Sequence, residues 1–136
     1  MNDLSGVIAK WGLSNARILA RTPTSDVYLI DLANGGNAVL KILNELGKKD
    51  ESTGAFALRC FDGKSAVRLL AHDDTAHLLE YAAGEDLTQM VREGRDDEAA
   101  TIIGKVLREL HDAWPSHPPA ELKPLRLWFR ALFEQA

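Results

Sequence analysis

The chain has 136 residues, 46% hydrophobic and 26% charged, enough for one domain with a buried core. Its formal net charge is −4 and no basic stripe stands out, which argues against a general nucleic-acid binder. A lone cysteine, Cys60, cannot form a disulfide within the chain, the N-terminal stretch MNDLSGVIAKWGL carries Asp3 early and lacks the apolar core of a secretory signal, and no run approaches the roughly 20 apolar residues of a membrane span. The default expectation is a cytoplasmic protein with no membrane partner.

In chain order, residues 3–12 are predicted helical, because Leu4, Val7, Ile8 and Trp11 recur at helical spacing. ARILAR (16–21), SDVYLIDL (25–32) and NAVLKIL (37–43) read as three strands, rich in β-branched and aromatic residues. ANGGN between the last two supplies Asn34, Gly35 and Gly36, suited to the positive φ of a hairpin loop. A helix follows over 49–60, with Ala55, Leu58 and Cys60 facing inward, then a turn at Asp62-Gly63. SAVRLLAH (65–72) and TAHLLEYA (75–82) form a second strand pair around Asp73-Asp74.

After a break at Gly84 come a short helix near 86–93 and a long amphipathic one over 96–114. Ile103, Val106, Leu107, Leu110 and Trp114 lie on one stripe of the long helix. PSHPP ends it, and PLRLWFRALFEQA (124–136) reads as a last helix. The fold class is therefore α+β: a five-stranded antiparallel sheet with one helix inserted after strand three, followed by helices. Trp114, Leu125, Leu127, Trp128, Phe129 and Phe133 need something to pack against, so the last helices are expected either to continue into further chain or to support self-association. The terminus reads as a cut.

Chemistry centres on Lys41. In NAVLKIL, Val39, Lys41 and Leu43 share one face of a strand and Ala38, Leu40 and Ile42 the other. Both faces look buried, and a buried ammonium needs an anion. One reading is an edge strand whose lysine snorkels to solvent. The other is a lysine held between strand and helix to neutralise nucleotide phosphates, paired with an acid on the inserted helix. Glu51, ten residues on, is the candidate and Asp50 the runner-up; both acids can also be read as residents of a helix N-terminal turn, favoured by the macrodipole.

The ordered set TPTSDVYLI, AVLKIL, GAFALRCFDGKSAVRLL, HLLEYAAGEDL and VLRELH resembles the aminoglycoside phosphotransferase superfamily, in its branch of streptomycin 6-phosphotransferases and hydroxyurea-resistance kinases. The resemblance runs from about Trp11 to the terminus. It implies a protein-kinase-like fold, with a small lobe over 1–83, a hinge at 79–83 and the beginning of a helical lobe over 84–136. It also implies ATP bound between the lobes, with Mg²⁺ on its phosphates, and an aminoglycoside-type hydroxyl as acceptor.

Carried over, Lys41 would contact the α- and β-phosphates, Glu51 would hold Lys41, and Thr24 and Ser25 would cover the phosphates. TPTSD also fits an ordinary turn led by Pro23. Backbone groups of Glu80 and Ala82 would meet the adenine edge, with Leu79 and Tyr81 beside it, and Val27 and Val39 either wall the base or are plain core. No segment after Ala82 reads H-x-D-x-x-x-x-N. His111-Asp112 lies near the end of a helix and Phe61-Asp62-Gly63 has the wrong order, so no catalytic or metal-ligating residue is assigned. The expected function is the nucleotide-binding portion of an antibiotic-modifying kinase, inactive alone. The alternatives are a stand-alone module that binds nucleotide or a protein partner, and an α+β domain in which Lys41 and Glu51 form a structural ion pair.

Overall fold

A computed structural model of the chain describes residues 4–134. Helix α1 (Leu4–Trp11) precedes strands β1 (Ser14–Arg21), β2 (Ser25–Asp31) and β3 (Asn37–Leu43). Helices α2 (Glu45–Glu51) and α3 (Gly54–Phe61) lead to β4 (Leu69–His72) and β5 (Ala76–Glu80). Then come α4 (Leu87–Arg92), α5 (Asp96–Ala113), α6 (Leu125–Trp128) and α7 (Arg130–Glu134). The strands form one sheet in the order β1-β2-β3-β5-β4, every neighbour antiparallel. The α+β architecture expected from the alternation is present.

Strand parity separates two faces of this sheet. Ile30, Ala38, Leu40, Ile42, Ala76 and Leu78 point to one side and form the buried core with Val7 of α1 and Leu13. On the other side β2, β3 and β5 stack in register: Val27 opposite Lys41 opposite His77, and Leu29 opposite Val39 opposite Leu79. The central strand β3 therefore carries Lys41 on the face away from α1. The snorkelling edge-lysine reading is overturned, because β2 and β5 flank this strand. The edge strands are β1 and β4; β1 is mostly exposed and is broken by two register irregularities, a common way of blunting a sheet edge.

The inserted helix is two helices. α2 starts at 45, four residues earlier than expected, because Asn44 caps it: Gly47 N donates to Asn44 Oδ1 at 3.0 Å. The chain then turns through Ser52 and Thr53 before α3 begins. Asp62, at φ 47°, closes α3 in the left-handed region, with its N–H on the Leu58 carbonyl. β4 begins at 69, not 65: Ser65 sits at φ 54°, and the backbone of Arg68 is already committed to Glu80 on both its N–H and its carbonyl.

β5 stops at Glu80, leaving Tyr81 and Ala82 outside the sheet. The last helix is interrupted at Phe129, and residues 135–136 of the expected span, like residue 3 of the first helix, lie outside the described residues. The α5 stripe is only partly covered: Val106 and Leu110, with Trp114 just beyond the helix, are half-buried, whereas Ile103 and Leu107 are exposed.

One turn is pressed against α2. Asn44 donates from Nδ2 to the Pro23 carbonyl at 2.8 Å and from its backbone N to the Thr24 carbonyl at 2.9 Å. Gly47 lies so close that a Cβ there would sit 2.2 Å from the Thr24 carbonyl oxygen. Gly47→Ala should therefore force turn and helix apart, costing about 1–3 kcal/mol by overpacking in denaturant unfolding. Loss of under 0.5 kcal/mol would mean that the contact relaxes freely.

α1 is tethered to the β4–β5 turn by Lys10 Nζ on Asp73 Oδ2 at 2.7 Å, while Asp73 Oδ1 accepts from Thr75 and Ala76. Burial pushes the Asp73 carboxyl up, but the hydrogen bonds from Lys10 and Thr75 and the Lys10 charge outweigh it and hold the carboxyl at about 2. Because this folded-state value lies below the unfolded one, the stabilisation is present above about pH 5 and is lost as pH falls toward 2. Asp73→Asn should remove on the order of 1–2 kcal/mol of that acid-dependent stability, allowing for solvent screening, as read from unfolding midpoints between pH 6 and pH 2.

Candidate functional site

The face of the sheet opposite the α1 core opens into a cleft of about 540 Å³, lined by Lys41, Glu51, Ala57, Leu58, His77 and Leu79 among others, with Trp114 and Trp128 contributed from the helical end. Three elements bring its charged groups together. β3 presents Lys41 in mid-strand, where pairing on both sides fixes the backbone. α2 ends on Glu51, whose Oε2 accepts from Lys41 Nζ. The β1–β2 turn brings the Thr24 hydroxyl near enough to Glu51 to help lower its carboxyl pKa.

Glu51 thus stands at the C-terminal end of its helix, where the macrodipole disfavours a carboxylate. The reading of Glu51 as a helix N-terminal acid is overturned. Burial pushes its carboxyl up, yet the hydrogen bonds from Lys41 and Thr24 and the Lys41 charge bring it below the usual carboxylate range. The group is an anion held for a cation. Asp50 points elsewhere, 3.8 Å from Lys123.

The remaining predicted site residues divide by geometry. Val27, Val39 and Leu79 are half-buried on the Lys41 face, in adjacent register rows. Ser25 is 2% exposed, and its hydroxyl lies 3.0 Å from Thr22 Oγ1, so that side chain is spent inside the turn. Glu80, Tyr81 and Ala82 are exposed where β5 ends, with the Glu80 carboxylate accepting from Arg68 N at 2.9 Å.

Three residues of this region were missed in the sequence. Asn44 and Gly47 clamp the turn to α2; the signal was an asparagine directly before an acidic first turn. His77 is buried and is the register partner of Lys41. Among the described residues no group of three His, Cys, Asp or Glu side chains is placed to hold a metal ion. What the arrangement offers is a cation, Lys41, for binding an anion.

A lysine on a central strand, locked by the glutamate of the following helix beneath a hydroxyl-bearing turn, is how nucleotide kinases hold phosphates. The family model described as aminoglycoside/hydroxyurea antibiotic resistance kinase matches residues 10–136. The streptomycin 3''-kinase of Klebsiella pneumoniae is 42% identical over 88 residues, which are 64% of this chain and 33% of that protein. The aligned part thus spans about a third of that relative's length. By the match over nearly its whole length, the chain belongs to the aminoglycoside/hydroxyurea antibiotic resistance kinase family.

Proposed function

We propose that the chain is the nucleotide-binding portion of a small-molecule kinase that transfers the γ-phosphoryl of ATP to a hydroxyl of an aminoglycoside-like substrate. The observation that carries this is Lys41, an ammonium on the central strand held by Glu51 at the open side of the sheet. In this reading residues 1–83 are the small lobe, 79–83 the hinge, and 84–136 the start of a helical lobe. Lys41 takes the α- and β-phosphates, Thr24 keeps Glu51 in place beneath them, and Val27, Val39 and Leu79 flank the base. Backbone groups of Glu80 and Ala82 meet the adenine edge, with Tyr81 beside it. Ser25 acts through the backbone of the turn, since its hydroxyl is buried.

The aminoglycoside acceptor is supported by the family and by the relative's name. In this reading the 136 residues supply the nucleotide-binding part of the transfer, since no segment after Ala82 reads H-x-D-x-x-x-x-N. A second reading, a stand-alone module that binds a partner, draws on the exposed Leu125, Trp128, Phe129, Leu132 and Phe133.

Calorimetric titration of Mg·ATP into the 136-residue chain should show binding that Lys41→Ala weakens about tenfold or more, the loss of one charge-assisted contact. Equal affinity in both proteins rejects the phosphate role. Transfer of radiolabelled phosphate from ATP to streptomycin should stay at background with the chain alone, and turnover would overturn its assignment as a binding portion.

A further inference from the structure

A second, smaller cavity of about 180 Å³ lies between α3 and the edge strand β4, lined by Arg59, Asp62, Arg68 and His72 together with Leu58 and Leu69 to Ala71. Strand pairing runs from Lys41 to His77 to His72. His72 therefore stands two strand spacings, about 10 Å, from Lys41 across the sheet.

Both guanidinium groups of the lining are held in place. Arg59 Nη2 donates to His72 Nε2 at 2.6 Å, and the guanidinium lies over the Phe56 ring, 5.6 Å from its centroid. The Arg68 guanidinium packs over Gly63, where a Cβ would sit 3.2 Å from Nε and Nη2. Its Nε is 4.0 Å from Asp62 Oδ1, and that carboxylate, the acid of the lining, is 79% exposed. Among the described residues Arg59 has no carboxylate within ion-pair distance, and its polar partner is the imidazole.

The contact with Arg59 also fixes the tautomer of His72. A guanidinium only donates, so Nε2 accepts, and the neutral ring carries its proton on Nδ1. What the cavity offers is thus two oriented guanidinium forks against one solvent-screened acid. Such forks match the oxygen spacing of phosphate and sulfate. The volume falls below the roughly 300 Å³ of the smallest drug-sized pockets, so it suits a single ionic group and not a whole nucleotide.

We propose that Arg59 and Arg68 form a binding site for a small tetrahedral oxyanion, a phosphate dianion either free or at the end of a monoester, with His72 as the residue that positions the Arg59 fork. The site is separate from the Lys41 cleft and does not rest on the nucleotide reading.

Inorganic phosphate titrated into the 136-residue chain at neutral pH and constant ionic strength should shift the Arg59 and Arg68 Nε–H signals along a saturating curve, with chloride as the reference ion. Arg59→Gln and Arg68→Gln should each weaken phosphate about tenfold or more, the loss of one charge-assisted contact. Lys41→Ala should leave it unchanged. Shifts that do not saturate, or that chloride reproduces, overturn the proposal, as does an affinity that depends on Lys41 and ignores Arg68. Arg68 meets Glu80 through its backbone, so Arg68→Gln keeps that pairing and decides the matter if Arg59→Gln fails to fold. Phenyl phosphate shifting the same signals with similar affinity assigns the site to monoesters, and binding of inorganic phosphate alone assigns it to the free ion. For His72, the imidazole ¹⁵N spectrum should show Nδ1 protonated and Nε2 bare, and the reverse overturns its positioning role. His72→Gln, whose Oε1 can accept from Arg59, should bind phosphate as the unaltered chain does, and His72→Leu several-fold more weakly. Equal affinity in those two variants also overturns that role.

Discussion

Everything distinctive about this fold depends on an ammonium group in the middle of a sheet. Lys41 occupies the central strand, with the buried side chains of Leu40 and Ile42 on either side in sequence. Stability alone does not account for it. A partly exposed ion pair is worth roughly 0–1 kcal/mol, and desolvation consumes much of the attraction when such a pair is more deeply buried. An apolar residue would fill the position at no such cost. What the pair provides is placement: two opposite charges held together in the lining of a cleft.

That placement is built by unusually close backbone contacts. The β1–β2 turn and α2 are fastened together by Asn44, which caps the helix and bonds both Pro23 and Thr24 backbone carbonyls. Gly47 is required there by distance, not by backbone angle, because any side chain would collide with the Thr24 carbonyl. Once turn and helix are fastened, Thr24 lies near the Glu51 carboxylate and Lys41 donates to it. Glu51 lies at the unfavourable end of its own helix dipole, so the local helix gains nothing from it. Its reason for being there is tertiary.

The sheet was legible in the sequence because β2 and β3 have strong strand chemistry and Asn34-Gly35-Gly36 joins them, with Gly35 at φ 88°. The Lys41–Glu51 pair was legible for the same reason: once the strand is placed, the spacing to the following acid limits the options. α2 was not. Its residues, ELGKKDE, carry almost no apolar periodicity, and its existence depends on the Asn44 cap and on packing under the turn. β4 was overextended because Ala66 and Val67 continue the apolar run into Leu69, while the strand's pairing is set by β5. The burial of His77 was illegible since it depends on strand pairing with Lys41, 36 positions earlier, which no local pattern encodes.

The helical segment meets the rest of the chain mainly through α2, α3 and the loop after α3, and this bears on the same site. Lys123 donates to the Lys49 carbonyl and lies near Asp50, while its Nζ sits 5.0 Å from the Trp128 ring centroid. Phe61 packs on Trp114 with centroids 5.2 Å apart, and Ser65 donates to Glu109. Lys49 and Asp50 immediately precede Glu51, so a helical segment that shifts must either break these contacts or carry the end of α2 with it. The position of one carboxylate is therefore set by a balance between the sheet and the helical segment.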